Sequence, residues 1–181
     1  MQTYVAFLRG INVGGNSLIK MVELKEALTK AGLSDVRTYI QSGNVVFRSE
    51  IKDTAALAVL LKKTILDSFS LSVDVVAFKE QAWQQIIKNA PSWWGKDKSW
   101  KHNILILINP EDIANAVETI GELKPGMERL AVGDGALYQS VDFKMVGRAT
   151  TGSKLAANPL YKKITIRNYN TATKLLMLLA S

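Results

Sequence analysis

The order of strand-type and helix-type segments constrains the fold of this chain more than any other feature. Residues 3–9 form an apolar run of β type, whereas residues 21–31 carry apolar side chains at helical spacing and stop at Gly32. The same criteria predict a hairpin over residues 36–40 and 45–47, a helix over 54–69 and a strand over 73–78. The resulting order, β-α-β-β-α-β, is typical of a ferredoxin-like plait, an antiparallel sheet with both helices on one face.

A second set of segments repeats this order after a predicted helix over residues 79–89. In chain order they are a strand over 102–108, a helix over 113–119, a hairpin over 128–132 and 136–140, a short helix over 154–160, a strand over 163–167 and a closing helix over 171–180. We therefore predict an α+β protein made of tandem ferredoxin-like (βαββαβ) plaits, with antiparallel sheets and a C-terminal helix.

The predicted boundary between the plaits lies in a loop-like stretch. We place the first plait and its following helix at residues 1–90, a linker at 91–101, and the second plait with the C-terminal helix at 102–181. The two halves share no obvious sequence identity, so the repeat depends on element order alone.

The positive charge of the chain is concentrated at its end. The formal net charge is +7, and the stretch from Lys144 onwards contains seven basic residues and no acidic one. Such a patch attracts phosphate, nucleic acid or an acidic partner through Coulomb forces. A solvated surface that keeps the protein in solution explains the same charge equally well.

Composition also excludes several kinds of site. The chain contains no cysteine, which excludes disulfides, thiolate metal ligands and a cysteine nucleophile and fits a reducing compartment. We find neither a signal-peptide pattern nor an apolar run of the roughly 18 residues that a membrane span needs. We therefore expect a soluble cytoplasmic protein with no metal and no cofactor, and the sequence gives no indication of oligomeric state.

Glycine and asparagine are concentrated in residues 9–16 and 41–44, two runs that each follow a predicted strand. Glycine lets the chain turn sharply and lets a ligand approach backbone N–H groups. Because the first two strands of a plait run parallel, the two runs should be neighbours at one edge of the sheet. Asn16 or Ser17 would cap the next helix, whose first N–H groups would face an anion together with Lys20. The alternative is a structural connection whose glycines allow tight packing.

A second polar segment, residues 165–171, joins the last strand to the last helix. Arg167 suits a carboxylate or phosphate and Asn168 an amide or a base edge, whereas Asn170 or Thr171 would cap the helix. A polar network that holds the C-terminal helix in place is the alternative. The candidate ligand-binding residues from both segments and from the basic tail are Arg9, Gly10, Asn12, Gly14, Gly15, Asn16, Lys20, Ser42, Asn44, Lys154, Arg167, Asn168 and Asn170.

No catalytic residue can be assigned from the sequence. His102 is the only histidine, and neither Ser99 nor Ser153 lies in a nucleophile-elbow context. We therefore interpret His102 as a hydrogen-bonded structural residue. The preferred function is binding of a small phosphate-bearing or otherwise anionic ligand, with an enzyme acting on a phosphorylated metabolite as the alternative.

Nucleic acid is a further alternative partner, because the RNA-recognition motif has the same element order. Its stacking platform is poor here, since Tyr4 and Phe7 point to opposite faces of their strand. Trp93, Trp94 and Trp100 lie in the linker beside Lys96, Lys98 and Lys101, and would either stack on bases or fill the seam between the plaits. We favour the second interpretation.

Two long motifs resemble the N-terminal signature of a bacterial domain-of-unknown-function family. They read LRGINVGG at residues 8–15 and YIQSGNVVF at residues 39–47, and later positions that fit the family include His102, Lys154 and Arg167. The resemblance implies a tandem ferredoxin-like fold in a cytosolic bacterial protein. It implies no reaction, so the matching residues mark only where a site is expected.

Overall fold

The structure is a computed structural model that describes residues 1–15 and 18–180. It is an α+β protein with two four-stranded antiparallel sheets. Two compact units are present: Met1–Gln84 together with the end of the chain from Lys174, and Gln85–Thr173. No helix in the described part of the chain has the length and apolar character to cross a membrane.

The first unit contains one sheet with the strand order β2-β3-β1-β4. Tyr4, Ala6 and Leu8 alternate onto one face of β1 and join a core of side chains from two helices, because successive strand residues point to opposite faces. On the other face Phe7 packs against Trp83, with ring centroids 4.7 Å apart. The elements are β1 (Gln2–Leu8), α1 (Met21–Lys30), β2 (Ser34–Tyr39), β3 (Asn44–Ser49), α2 (Thr54–Phe69), β4 (Val75–Lys79) and the start of α3 (Glu80–Lys88).

The second unit has the equivalent strand order, β6-β7-β5-β8. Leu105 and Leu107 of the central strand meet Ala116 and Leu155 of two helices in the core of this unit. The elements are β5 (Trp100–Leu107), α4 (Ile113–Ile120), β6 (Glu128–Val132), β7 (Ala136–Asp142), α5 (Thr150–Ala156), β8 (Ile164–Asn168) and the start of α6 (Tyr169–Leu179).

Two helix predictions were wrong in detail, whereas the other predicted segments lie within two residues of their observed bounds. The short helix predicted over 154–160 is α5, which begins four residues earlier and ends at Ala156. Asn158 then starts a short 3-10 turn by accepting a hydrogen bond from the Leu160 N–H. The last helix is capped by Asn168, which accepts a hydrogen bond from the Thr171 N–H at 2.8 Å, and not by Asn170 or Thr171.

Candidate functional site

The two glycine-rich runs meet at one edge of the first unit, as predicted. The Leu8 N–H donates to the Gly43 carbonyl at 2.8 Å, and the Asn12 amide donates to the Gln41 carbonyl at 2.9 Å. The backbone at Gly43 lies so close to Leu8 that a Cβ there would be 2.8 Å from the Leu8 Cβ. The loop after β1 and the β2–β3 turn therefore form one continuous rim.

The amides of this rim are used to hold it together. Asn12 accepts from the Ile19 N–H at 2.8 Å and donates to the Ile19 carbonyl at 3.0 Å, which pairs the loop with the approach to α1. Asn44 is fully buried and donates to the Tyr39 carbonyl and to Ser42 Oγ, both at 3.0 Å. These three predicted site residues thus satisfy backbone and side-chain groups of their own loops.

The exposed part of the rim combines glycine backbone with the apolar side chains of Val13 and Ile40. Gly10, Gly14 and Gly15 are exposed and have φ values between 60° and 77°, a region that L residues rarely adopt. Arg9 is half-buried, and its backbone N–H donates to the Asp74 carbonyl. Lys20 Nζ forms an exposed ion pair with Glu23 at 3.0 Å.

The prediction that Asn16 or Ser17 caps the next helix falls outside the described residues. Helix α1 begins at Met21, and the residue at its N-cap position, Lys20, makes no capping hydrogen bond with its side chain.

The remaining predicted site residues lie in the second unit. Arg167 is 7% exposed and donates to Thr165 Oγ1 at 2.8 Å and to the Ile166 carbonyl at 2.9 Å. Burial lowers the pKa of its guanidinium to about 10, because the charged form loses hydration. Lys154 is exposed on α5, whereas Asn168 and Asn170 are exposed at the start of α6.

Asn168 and Asn170 border a cavity of 580 Å³ in this unit, beside the first residues of β5. A volume of this size falls within the range of small-molecule sites in proteins. We call the cavity the notch. Its lining consists of Gly95, Asp97, Lys98, Trp100, Lys101, His102, Phe143, Asn168, Tyr169 and Asn170.

His102 lines the notch, and hydrogen bonds at both ring nitrogens fix its orientation. Its Nε2 lies 2.8 Å from the Asp97 carbonyl oxygen, which can only accept, so in the neutral ring Nε2 carries the proton. Nδ1 lies 2.5 Å from Ser140 Oγ and accepts a hydrogen bond from the Ser140 hydroxyl. His102 is therefore hydrogen-bonded through both ring nitrogens, and a purely structural role for it stays a prediction. Ser140 is 1% exposed, which removes it as a nucleophile for an outside substrate.

One carboxylate, that of Asp97, lines the notch together with two lysines. Asp97 accepts from the Ser99 N–H at 2.9 Å and the Ser99 hydroxyl at 2.7 Å. These hydrogen bonds hold the pKa of Asp97 below its usual value and outweigh the opposite effect of burial, with a smaller contribution from the nearby Arg129 guanidinium. Asp97 is therefore ionised at neutral pH, and Lys98 and Lys101 leave the lining with a small excess of positive charge.

Aromatic rings supply the apolar part of the lining. Trp100 is half-buried, and the Arg129 guanidinium lies 4.6 Å from its ring centroid. Phe143 is 58% exposed. Tyr169 packs edge-to-face on Trp94, with centroids 4.9 Å apart, and a Cβ at Gly95 would collide with its ring.

The tryptophans of the predicted linker have different roles. Trp94 is 4% exposed and donates its indole N–H to the Asn103 carbonyl at 2.9 Å, so it belongs to the core of the second unit. Trp93 and Trp100 are half-buried. Of these three tryptophans, only Trp100 lines the notch.

Sequence reasoning left several lining residues out of the candidate set. Lys98 and Lys101 stand beside the tryptophans of the linker in the sequence. Tyr169 lies inside the polar segment 165–171, in which only the arginine and the asparagines were considered as binding residues. Nothing local marks Phe143, because its place in the notch follows only from the pairing of β5 with β7. No group of three or more histidine, aspartate or glutamate residues able to hold a metal occurs within residues 1–15 and 18–180.

Residues 1–138 match the model of a family described as a protein of unknown function (DUF1697). The chain belongs to this family. A solved structure of the conserved bacterial protein SP0830 from Streptococcus pneumoniae is similar to the whole fold, with 28% identity, a TM-score of 0.86 and 98% of each chain covered. No curated protein matches the chain. The family match contains the half of the notch from Gly95 to His102, whereas Phe143 and the asparagines lie beyond it.

Proposed function

We propose that this protein binds a small phosphate-bearing ligand that also carries a ring or hydroxyl groups, such as a nucleotide or a sugar phosphate, in the notch. The observation that carries the proposal is the convergence of two lysines, two side-chain amides and aromatic rings on one cavity of 580 Å³. Lysine ammonium groups bind phosphate as point charges. The Asn170 amide can supply a donor and an acceptor, whereas Asn168 can supply only its NH₂ donor, because its oxygen caps α6.

The carboxylate of Asp97 favours this class of ligand over a bare polyanion. An ionised carboxylate repels phosphate but accepts hydrogen bonds from hydroxyl or amino groups. A sugar or a base offers such donors beside the phosphate. Phe143 and Trp100 add apolar surface on which a ring can lie.

Burial of the sheets supports a small ligand over a nucleic acid bound in the manner of an RNA-recognition motif. That manner of binding needs aromatic side chains exposed on a sheet face. On the face of the first sheet opposite its helices, Val5 and Phe7 are 0% exposed. In the second unit Ile104 is 0% exposed and Tyr138 is 1% exposed.

The rim of Gly10 to Gly15 is a weaker candidate for the same kind of ligand. Its exposed backbone N–H groups support anion binding, but Lys20 already pairs with Glu23 and the amide of Asn12 is used within the loop. We assign the rim a secondary role for this reason.

The proposal also includes two ferredoxin-like plaits in tandem, in a cytoplasmic protein. The equivalent strand orders β2-β3-β1-β4 and β6-β7-β5-β8 support the tandem arrangement.

Calorimetric titration of AMP tests the proposed function. We expect the wild-type protein to bind AMP more tightly than inorganic phosphate, because the ring and the hydroxyls add contacts. Lys101→Ala should weaken AMP binding about tenfold, the loss expected for one hydrogen bond to a charged group. Asn170→Ala should weaken it less.

Lys96→Ala is the matched control, since Lys96 is an exposed lysine that precedes β5 and does not line the notch. We expect its AMP affinity to equal that of the wild type. If neither AMP nor a panel of nucleotides and sugar phosphates bound, or if Lys96→Ala and Lys101→Ala weakened binding equally, the notch would not be the site.

A further inference from the structure

One turn that leads into β5 carries three different functional groups of the notch. The Trp100 N–H donates to the Asp97 carbonyl at 3.1 Å, which closes a turn of four residues, 97–100. A carboxylate (Asp97), an ammonium group (Lys98) and an indole ring (Trp100) belong to this turn, and all three line the notch. A single compact segment therefore offers partners for a donor group, a phosphate and a ring.

Asp97 is held in place at both its backbone and its side chain. Besides the bond from Trp100, its carbonyl accepts a hydrogen bond from His102 Nε2 at 2.8 Å, and Ser140 fixes the imidazole through Nδ1. Its carboxylate Oδ1 accepts from the Ser99 N–H at 2.9 Å and from the Ser99 hydroxyl at 2.7 Å. The orientation of the carboxylate is thus determined before a ligand arrives, which lowers the entropy cost of binding.

The second carboxylate oxygen of Asp97, Oδ2, accepts no hydrogen bond from the residues that the structure describes. Asp97 also forms no ion pair with any of them, although Lys98 and Lys101 line the same cavity. An ionised carboxylate can only accept hydrogen bonds. Oδ2 is therefore an acceptor that a donor group of the ligand can use.

The order of groups in the turn matches the order of groups in a nucleotide, where the sugar lies between phosphate and base. Asp97 directly precedes Lys98 and is hydrogen-bonded to Trp100. A phosphate bound by Lys98 and a base resting on Trp100 or on the exposed ring of Phe143 leave the sugar beside Asp97. The donors of the sugar are its hydroxyl groups, whereas the amino group of an adenine lies at the far end of the base.

From these observations we infer that Asp97 determines the specificity of the notch: its Oδ2 accepts a hydrogen bond from a ribose hydroxyl, so the ligand is a ribonucleotide. The inference rests on the proposed function, because it takes the notch as the phosphate site, and it narrows the class of ligand proposed there. Asp97 also disfavours phosphate that arrives without a sugar, because the two negative charges repel and no hydroxyl compensates for the repulsion.

Calorimetric titration of AMP and of 2′,3′-dideoxy-AMP tests the inference, since the two ligands differ only in their ribose hydroxyls. We expect the wild type to bind AMP about tenfold more tightly, the effect of one hydrogen bond to a charged group. In Asp97→Asn the preference should fall to about threefold, because an amide forms a neutral hydrogen bond of about half the strength. The same variant should bind inorganic phosphate more tightly than the wild type does.

Asp134→Asn is the matched control, because Asp134 is an exposed aspartate between β6 and β7 that does not line the notch. Its preference for AMP over the dideoxy ligand should equal that of the wild type. Asparagine at position 97 keeps an oxygen for the two hydrogen bonds from Ser99, so we expect the variant to fold, and thermal melting checks this.

Equal affinity of the wild type for AMP and 2′,3′-dideoxy-AMP would overturn the inference and leave the proposed function intact. A tenfold preference that persists in Asp97→Asn, or an equal loss of preference in Asp134→Asn, would also overturn it, because the hydroxyls would then bind elsewhere. Binding of sugar phosphates without binding of AMP would have the same consequence. If no nucleotide and no sugar phosphate bound, the proposed function and the inference would both be wrong.

Discussion

Gly43 packs closely against the end of β1 and the loop that follows it. Its φ is +76°, and a Cβ built there would be 2.8 Å from the Leu8 Cβ and 3.0 Å from both the Leu8 carbonyl oxygen and Ile11 Cγ1. Two separate constraints therefore act at this position: backbone conformation, and the space left by the neighbouring loop.

Replacing Gly43 and Gly10 by alanine separates these two constraints. Both glycines have φ near +75°, but nothing lies within 4 Å of a Cβ at Gly10. We expect Gly10→Ala to lower the free energy of unfolding by about 1 kcal/mol through backbone strain alone. Gly43→Ala should lower it by about 3 kcal/mol, because displacement of Leu8 and Ile11 is added. Denaturant unfolding measures both, and equal losses would contradict the close packing of the two loops.

The roles of asparagine in the first unit show why residue type alone did not locate a site. Asn12 and Asn44 have the polarity and loop position that a ligand-binding residue needs. Loop backbone needs the same amides, since it lacks the regular pairing of a sheet. Sequence placed the two loops together correctly from strand order, but only the contacts show that these amides bond within the loops.

At the scale of the element, α5 shows how a helix start can be set from a distance. Glu128 of β6 is 6% exposed, and its carboxylate accepts hydrogen bonds from the Thr150 N–H at 2.5 Å, the Thr151 N–H at 3.2 Å and the Thr151 hydroxyl at 2.7 Å. The first N–H groups of α5 are thus bonded to a carboxylate that belongs to a strand distant in sequence. Ala149, at the N-cap position, makes no capping hydrogen bond with its side chain.

This arrangement explains why the sequence misplaced α5 and not α2. Asp53 directly precedes α2 and accepts a hydrogen bond from the Ala55 N–H at 2.9 Å. The start of α2 is therefore determined by a residue next to it in the sequence. The cap of α5 lies 22 residues away from Thr150. Local patterns cannot detect such a partner, and the prediction was four residues late.

Glu128→Gln should therefore destabilise the second unit. The amide keeps the size of the side chain but has one acceptor oxygen, and its NH₂ group would face N–H donors. We expect the free energy of unfolding to fall by about 2 kcal/mol, the scale of a lost charge-assisted hydrogen bond. Glu122→Gln, at an exposed position, is the control and should change it by less than about 0.5 kcal/mol. Hydrogen exchange at the Thr150 and Thr151 amides should accelerate in Glu128→Gln only.

At the scale of the whole molecule, sequence predicted the element order well because each strand and helix has its own periodicity. The notch was harder to find, since it combines residues 95–102, Phe143 and residues 168–170, which strand pairing brings together. The β-bulge between Ser34 and Arg37 of β2 was not predictable either, because alternation along β2 alone does not reveal which residue is extra.

Stability at alkaline pH reports on the packing of the second unit. Tyr138 of β7 is 1% exposed and donates its hydroxyl to the Ile86 carbonyl at 2.5 Å. Burial, with a smaller contribution from Asp134, raises the pKa of Tyr138 from 10.0 to about 12. A folded-state pKa above the unfolded value means that this contribution to stability is complete below pH 10 and is lost as the pH rises through about 12.

We therefore expect the free energy of unfolding to fall between pH 10 and about 12 in the wild type more steeply than in Tyr138→Phe. The variant lacks the hydrogen bond to Ile86, so it starts from a lower stability at neutral pH, but it has no phenol to ionise at this position. Tyr161→Phe, at an exposed tyrosine, should follow the wild-type pH dependence. Urea unfolding at a series of pH values measures all three proteins. Identical slopes for the wild type and Tyr138→Phe would mean that the phenolate is as well solvated in the folded protein as in the unfolded chain, which is incompatible with a ring buried against Trp94.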